Sequence, residues 1–185
     1  DLRALVRADS NRWASQRALW TLDGIGKLTS ADVQQALEST HPNVRKDAIR
    51  LSRKFLSDPV VVQKLLKASL ETNGEILLEC ALALGDIAAP FATPSTGVSS
   101  TQSIDLSAIA STLASLVVAN PSDDWLATAV LTSAKDRSTA ILSSFSSAAQ
   151  RGSLQSTPVA LRFIRELASI TGVRGDIAEL RRLLQ

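Results

Sequence analysis

Few residues in this chain could do chemistry, and each lacks the company that chemistry requires. His41 is the single histidine. As a general base it would need an orienting group and a nucleophile in one pocket. Instead it sits in Ser39-Thr40-His41-Pro42, which reads as a turn. Cys80 is the single cysteine. A reactive thiol wants exposure and basic neighbours, whereas Leu78, Glu79, Ala81 and Leu82 flank this one, so it reads as a small packing residue. One cysteine admits no internal disulfide, no all-cysteine metal site and no Cys-x-x-Cys-His haem attachment. One histidine among unclustered carboxylates does not suggest zinc either. Asp123 and Asp124 are too local for a catalytic carboxylate pair and suit the cap and first turn of a helix. Gly24-x-Gly26 lacks the third glycine and the preceding strand of a phosphate-binding turn. No catalytic, cofactor-binding or metal-ligating residue is assigned.

Binding chemistry has more to work with. Arg45, Lys46, Arg50, Arg53 and Lys54 form the densest basic stretch, interrupted by Asp47. It reads either as a solvated helix face or as a surface that docks an acidic partner. An ion pair from Arg45 to Asp47 or Asp23 is a structural alternative. Nucleic acid is disfavoured, because 20 basic against 18 acidic residues leave a formal charge of only +2 and no basic patch is interleaved with aromatics. Trp13 and Trp20 stand seven residues apart on one helical face. With Trp125 they are expected to pack between units; exposed, they would instead be docking hot spots.

The elements that carry these residues read as helices throughout. Apolar residues make up 45% of the chain, with four Phe, three Trp and no Tyr, so the core must be built from small and branched aliphatic side chains. Pro42 can open a helix, and Val44, Ala48, Leu51 and Phe55 then fall on one side of it. A second apolar-periodic segment, Val60 to Leu70, follows closely enough to turn back on the first. The phrase recurs. Superposed first helices align Ala14, Val44, Ile76 and Trp125, and four residues later Ala18, Ala48, Cys80 and Ala129, a small position suited to close helix approach. A period in the thirties with two helices per unit predicts an all-α, HEAT/ARM-like α-solenoid, a right-handed superhelix of about five antiparallel helix pairs. Residues 1–185 are expected to form one repeat domain with an insertion loop at about 89–104. Its Phe91 and Val98 join the expected interaction surface, because insertions in repeat arrays emerge on one face.

Asn11-Arg12-Trp13-Ala14 through Gly26, His41 to Leu51, Glu79 to Gly85, and Asp123 to Ser133 together resemble the HEAT-like repeat region of a family of very large bacterial proteins. These are the membrane-bound dehydrogenase / c-type haem-domain proteins of planctomycetes and verrucomicrobia. The resemblance covers roughly residues 9 to 150. It implies a neighbouring sugar-dehydrogenase-like β-propeller, a c-type cytochrome domain carrying covalent haem outside these residues, and a periplasmic or cell-surface location. The start at Asp1 and the absence of methionine are in keeping with a segment of such a multidomain protein.

These readings converge on a non-catalytic structural or protein-interaction module that positions flanking redox domains or docks a partner protein. The alternatives are a basic concave face that binds nucleic acid or a modified base, and a small enzyme site on that face. No run of about 20 apolar residues is present to span a membrane.

Overall fold

A computed structural model describes residues 1–87, 105–135, 137–150 and 156–174. Among these residues every regular element is helical, and there is no strand. The helices are α1 (Leu2–Ala8), α2 (Arg12–Gly24), α3 (Ser30–Ala36), α4 (Pro42–Ser52), α5 (Pro59–Ala68), α6 (Gly74–Gly85), α7 (Leu106–Ala119), α8 (Asp124–Thr132), α9 (Ser138–Gln150) and α10 (Pro158–Arg174). A short 3-10 turn, Arg53–Phe55, follows α4.

Local chemistry sets the helix starts. Asn11 Oδ1 accepts from the Trp13 and Ala14 N–H groups, and Asn73 Oδ1 does the same for Glu75 and Ile76. Thr29 and Asp32 form a reciprocal capping box at α3. Asp58, Asp105 and Asp123 cap α5, α7 and α8. Pro42 and Pro59 occupy first-turn positions, where a missing N–H removes no helical bond. Each side-chain cap contributes about 1 kcal/mol. Gly26, at φ +66°, closes the turn after α2 in the left-handed region that glycine enters without penalty.

The chain divides into two compact units, Asp1–Asp86 and Ile87–Gln185. In the first, α1, α3 and α5 form one row and α2, α4 and α6 a second, with α1 on α2, α3 on α4 and α5 on α6. The expected hairpin of α4 with α5 is therefore displaced by one helix. The burial pattern of α4 explains the shift. Val44, Asp47, Ala48, Ile49, Leu51 and Ser52 are all buried, an arc too broad for a single stripe, and α4 meets α2, α3 and α6 at once. In the second unit α7 packs chiefly on α9, α8 on α7 and α10, and α10 also on α9. Phe145 and Phe163 fill the α9–α10 contact, with ring centroids 5.2 Å apart and tilted by 40°.

The caps also shift the expected superposition of α2, α4, α6 and α8. Asn11, His41, Asn73 and Asp123 are the N-cap residues of α2, α4, α6 and α8. Counting three residues from each aligns Ala14, Val44 and Ile76 with Leu126, not Trp125. The position four later is then Ala18, Ala48, Cys80 and Val130. The expected alignment was one residue out in α8, which turns a helical face by about 100° and places Trp125 in solvent. Trp13 and Trp125 share the second helical position of α2 and α8. The expected insertion at 89–104, with Phe91 and Val98, lies outside the described residues.

Ile49 is fully buried in α4, the helix with neighbours on three sides. Ile49→Ala is expected to destabilise the protein by about 2–5 kcal/mol through lost contacts and a residual cavity. A shift of the urea midpoint at unchanged slope measures it.

Candidate functional site

Side-chain ties join the first unit's helices and connections, most of them between residues 24 to 33 apart along the chain. At one end of the helices, Asp9 lies in the α1–α2 connection in a left-handed conformation, φ 46°. Its carboxylate accepts from Ser39 Oγ at 2.6 Å, from the Thr40 N–H at 2.7 Å and from Thr40 Oγ1 at 2.9 Å. His41 Nε2 lies 3.1 Å from the Asp9 carbonyl oxygen. The next step belongs to Arg45. Its Nη1 donates to the Ser39 carbonyl at 2.8 Å, while Nε and Nη2 donate to the two Glu71 oxygens at 2.9 and 2.7 Å. Three successive connections at this end are thereby laced together.

The rest of the basic stretch is paired in the same way. Lys46 meets Glu75, Arg50 meets Glu79 with its Nε at 2.7 Å, Arg53 meets Asp86, and Lys54 meets Asp23. Gln16 Nε2 donates to Asp47 Oδ2 at 2.7 Å. Asp58 takes bonds from Ser30 and Gln34, Lys64 pairs with Glu38, and Arg3 grips Asp32 at 3.1 Å. The partners in these links lie between 24 and 33 residues apart. The second unit has its own version: Arg162 holds both oxygens of Asp124 at 2.7 and 3.0 Å. The structure pairs Arg45 with Glu71, while Lys54 holds Asp23 and Asp47 is held by Gln16.

These bonds shape the acid titrations. Burial alone would push the Asp9 carboxyl up, but donation from Ser39 and Thr40, with His41 close by, holds it below its ordinary value. Asp32 follows the same logic: burial works upward, and bonds from Thr29 and Arg3 outweigh it. The Ser30 hydroxyl is the main cause that holds Asp58 low. Burial pushes the Cys80 thiol up to about 12, with Glu71 and Glu79 adding to the effect.

Ala18, Ala48, Cys80 and Ala129 are all buried. The tryptophans are not, contrary to the packing role expected from their spacing. Trp13 is 58%, Trp20 45% and Trp125 79% exposed. The reason is the inward face of each helix. In α2, Ser15, Ala18, Leu19 and Leu22 fill it; in α8, Leu126, Ala127, Ala129, Val130 and Leu131 do so. Trp13 and Trp20 do share a face, and it is the solvent face. With Gln16, Arg17, Thr21 and Asp47 they line a shallow groove of about 560 Å³. The Arg12 guanidinium lies 4.7 Å from the Trp13 ring centroid.

Sequence reasoning missed the acidic half of this surface. Glu71, Glu75 and Glu79 recur at four-residue intervals, and they fall 26, 29 and 29 residues after Arg45, Lys46 and Arg50. That offset was the available signal. Among the described residues, no group of three or more His, Cys, Asp or Glu side chains could hold a metal ion, and no helix is long and apolar enough to cross a membrane. No family model, no curated protein and no solved structure matches this chain.

Three outcomes follow from this geometry. Arg45→Met, Glu71→Gln and the double variant should give a coupling energy of about 1 kcal/mol by urea unfolding, diminished in high salt. Asp9→Asn keeps a side chain that tolerates the left-handed turn but removes the strong acceptor. It should lose about 1–2 kcal/mol near neutral pH. Because Asp9 is held low in the folded state, its contribution is present above the unfolded value of about 3.9 and is lost as pH falls through the folded one. The stabilities of variant and parent should therefore converge in acid. Cys80 should resist a thiol reagent at pH 8 in the native protein and react on unfolding; rapid native labelling would contradict its burial.

Proposed function

We propose that this chain is a HEAT-like α-solenoid module without catalysis of its own, which docks a protein partner or holds neighbouring domains at a set separation. One observation carries the reading: an exposed tryptophan groove stands on a frame of helices whose cations are largely neutralised by carboxylates about one repeat away. Ties that span 24 to 33 residues support repeat stacking, in which each unit is stable only against its neighbours. Large aromatic side chains left in solvent on such a frame are the usual anchors of a protein interface. Buried Cys80 and the tied His41 offer no competing nucleophile or base.

The family resemblance supplies the identity of the neighbours. They would be the propeller and c-type cytochrome domains of an exported dehydrogenase, with haem bound by the latter. Intact mass and a haem absorbance scan of the native polypeptide test that part: a haem-free native product of about the mass of these residues alone would remove it.

The docking role has a separate test. A photo-crosslinking residue placed at Trp20 should give discrete protein adducts in the native host. The same residue at Leu70, exposed on the α5–α6 connection, should not. Absence of adducts from position 20, or identical adducts from both positions, would overturn the reading.

A further inference from the structure

The α2 face differs from the α4 face beside it in one chemical respect. On and after α4, Arg45, Lys46, Arg50, Arg53 and Lys54 each hold a carboxylate. On α2, Arg12 and Arg17 are exposed and neither forms an ion pair with any described carboxylate. The Arg12 guanidinium carbon lies 4.7 Å from the Trp13 ring centroid, and a guanidinium beside a ring still has N–H groups to offer an oxygen pair. The carboxylate that lines the groove, Asp47, is already committed to Gln16 at 2.7 Å and lies 4.0 Å from Arg50. An incoming chain therefore meets two guanidinium groups that have no described carboxylate partner, beside two exposed indoles.

We infer that the Trp13–Trp20 groove is a docking site for a short acidic segment of a partner protein that also carries apolar side chains. This rests on the protein-docking role proposed above and names the partner's chemistry. The tryptophans are two helical turns apart, about 10 Å along α2, so an aliphatic or aromatic side chain can lodge between them. Glutamate or aspartate on either side reaches Arg12 and Arg17 with bidentate geometry. A basic segment would bring charge toward these two arginines and find Asp47 already bound. A nucleic-acid strand needs a longer track of free cations, and the adjoining row, Lys46, Arg50, Arg53 and Lys54, is neutralised by Glu75, Glu79, Asp86 and Asp23.

Fluorescence anisotropy of the whole protein tests the assignment. The probes are a short fluorescein-labelled peptide of glutamate, leucine and phenylalanine, its lysine-for-glutamate counterpart, and a labelled oligothymidylate. The acidic peptide should bind best and weaken with added salt. Arg17→Glu should weaken it about tenfold, and Trp20→Ala about thirtyfold, the scale of a hot-spot truncation. Both positions are exposed, and unchanged circular dichroism would verify that the variants fold. Stronger binding of the lysine peptide, or of the oligothymidylate, would overturn the inference. So would a self-association by sedimentation that Trp20→Ala abolishes, because a second copy would then own the groove. Should no probe bind while crosslinks from position 20 persist, the docking role stands and the acidic partner is wrong. Loss of both would remove the two together.

Discussion

The three-way grip of Arg45 is the interaction on which the first unit's arrangement depends. A single guanidinium satisfies the Ser39 carbonyl in the α3–α4 connection and both oxygens of Glu71 in the α5–α6 connection. Asp9 then ties the α1–α2 connection to the same Ser39 segment. At the opposite end, Lys54 reaches Asp23 and Arg53 reaches Asp86. The row of α2, α4 and α6 is thereby tied at both ends, and its neighbours can slide along one another only by breaking charged bonds together. Exposed pairs contribute little energy one by one. Their effect is to exclude alternative alignments of helices whose packing surfaces are alike.

That division of labour follows from the composition. The first unit's core is made of Leu, Val, Ile and Ala: Leu19, Val33, Ile49, Val61, Leu65, Ile76 and Leu84 are all fully buried. Aliphatic residues of similar size supply the burial energy, but a seam of near-identical side chains tolerates a shift of one turn better than a jigsaw of aromatic shapes does. Charged and amide groups do not tolerate it. Gln16 and Arg50 have directional partners, Asp47 and Glu79, 31 and 29 residues away. A one-turn slip, about 5.4 Å, would separate them all.

Local signals were legible in the sequence and long-range ones were less so. The helix starts could be read because caps are chemistry within three residues: Asn11, Thr29, Asn73 and Asp123 each bond a backbone N–H just downstream. The helical character of the described residues followed from periodicity. The partners of Arg45 and Lys54 did not, because nearest charges in sequence, such as Asp47, compete on paper with Glu71, which is near only after the helices stack. Spacing placed Trp13 and Trp20 on one face but could not say which face, since indole serves core and interface equally well. The small positions in α2 were the better guide: Ser15, bonded to the Leu5 carbonyl of α1, and Ala18 are buried, and bulky Trp13 and Trp20 are left outside. In α8 a one-residue error in phase was enough to reverse the reading of Trp125.

Neutralised charge and exposed aromatic surface carry opposite information about function. The basic stretch from Arg45 to Lys54 is the loudest feature of the sequence, yet its carboxylate partners are already on the protein, so a partner would have to displace an existing bond to use it. The α2 face is quiet in sequence, with Arg12 and Arg17 distributed among apolar residues. Among the described residues no carboxylate pairs with either guanidinium group, and the two indoles stay exposed. Recognition gains most where desolvation removes apolar surface and where no internal ion pair must be broken first. By that criterion the surface proposed for docking is the one whose cations lack described carboxylate partners and stand beside exposed aromatic area. Overall net charge, at +2, cannot locate it.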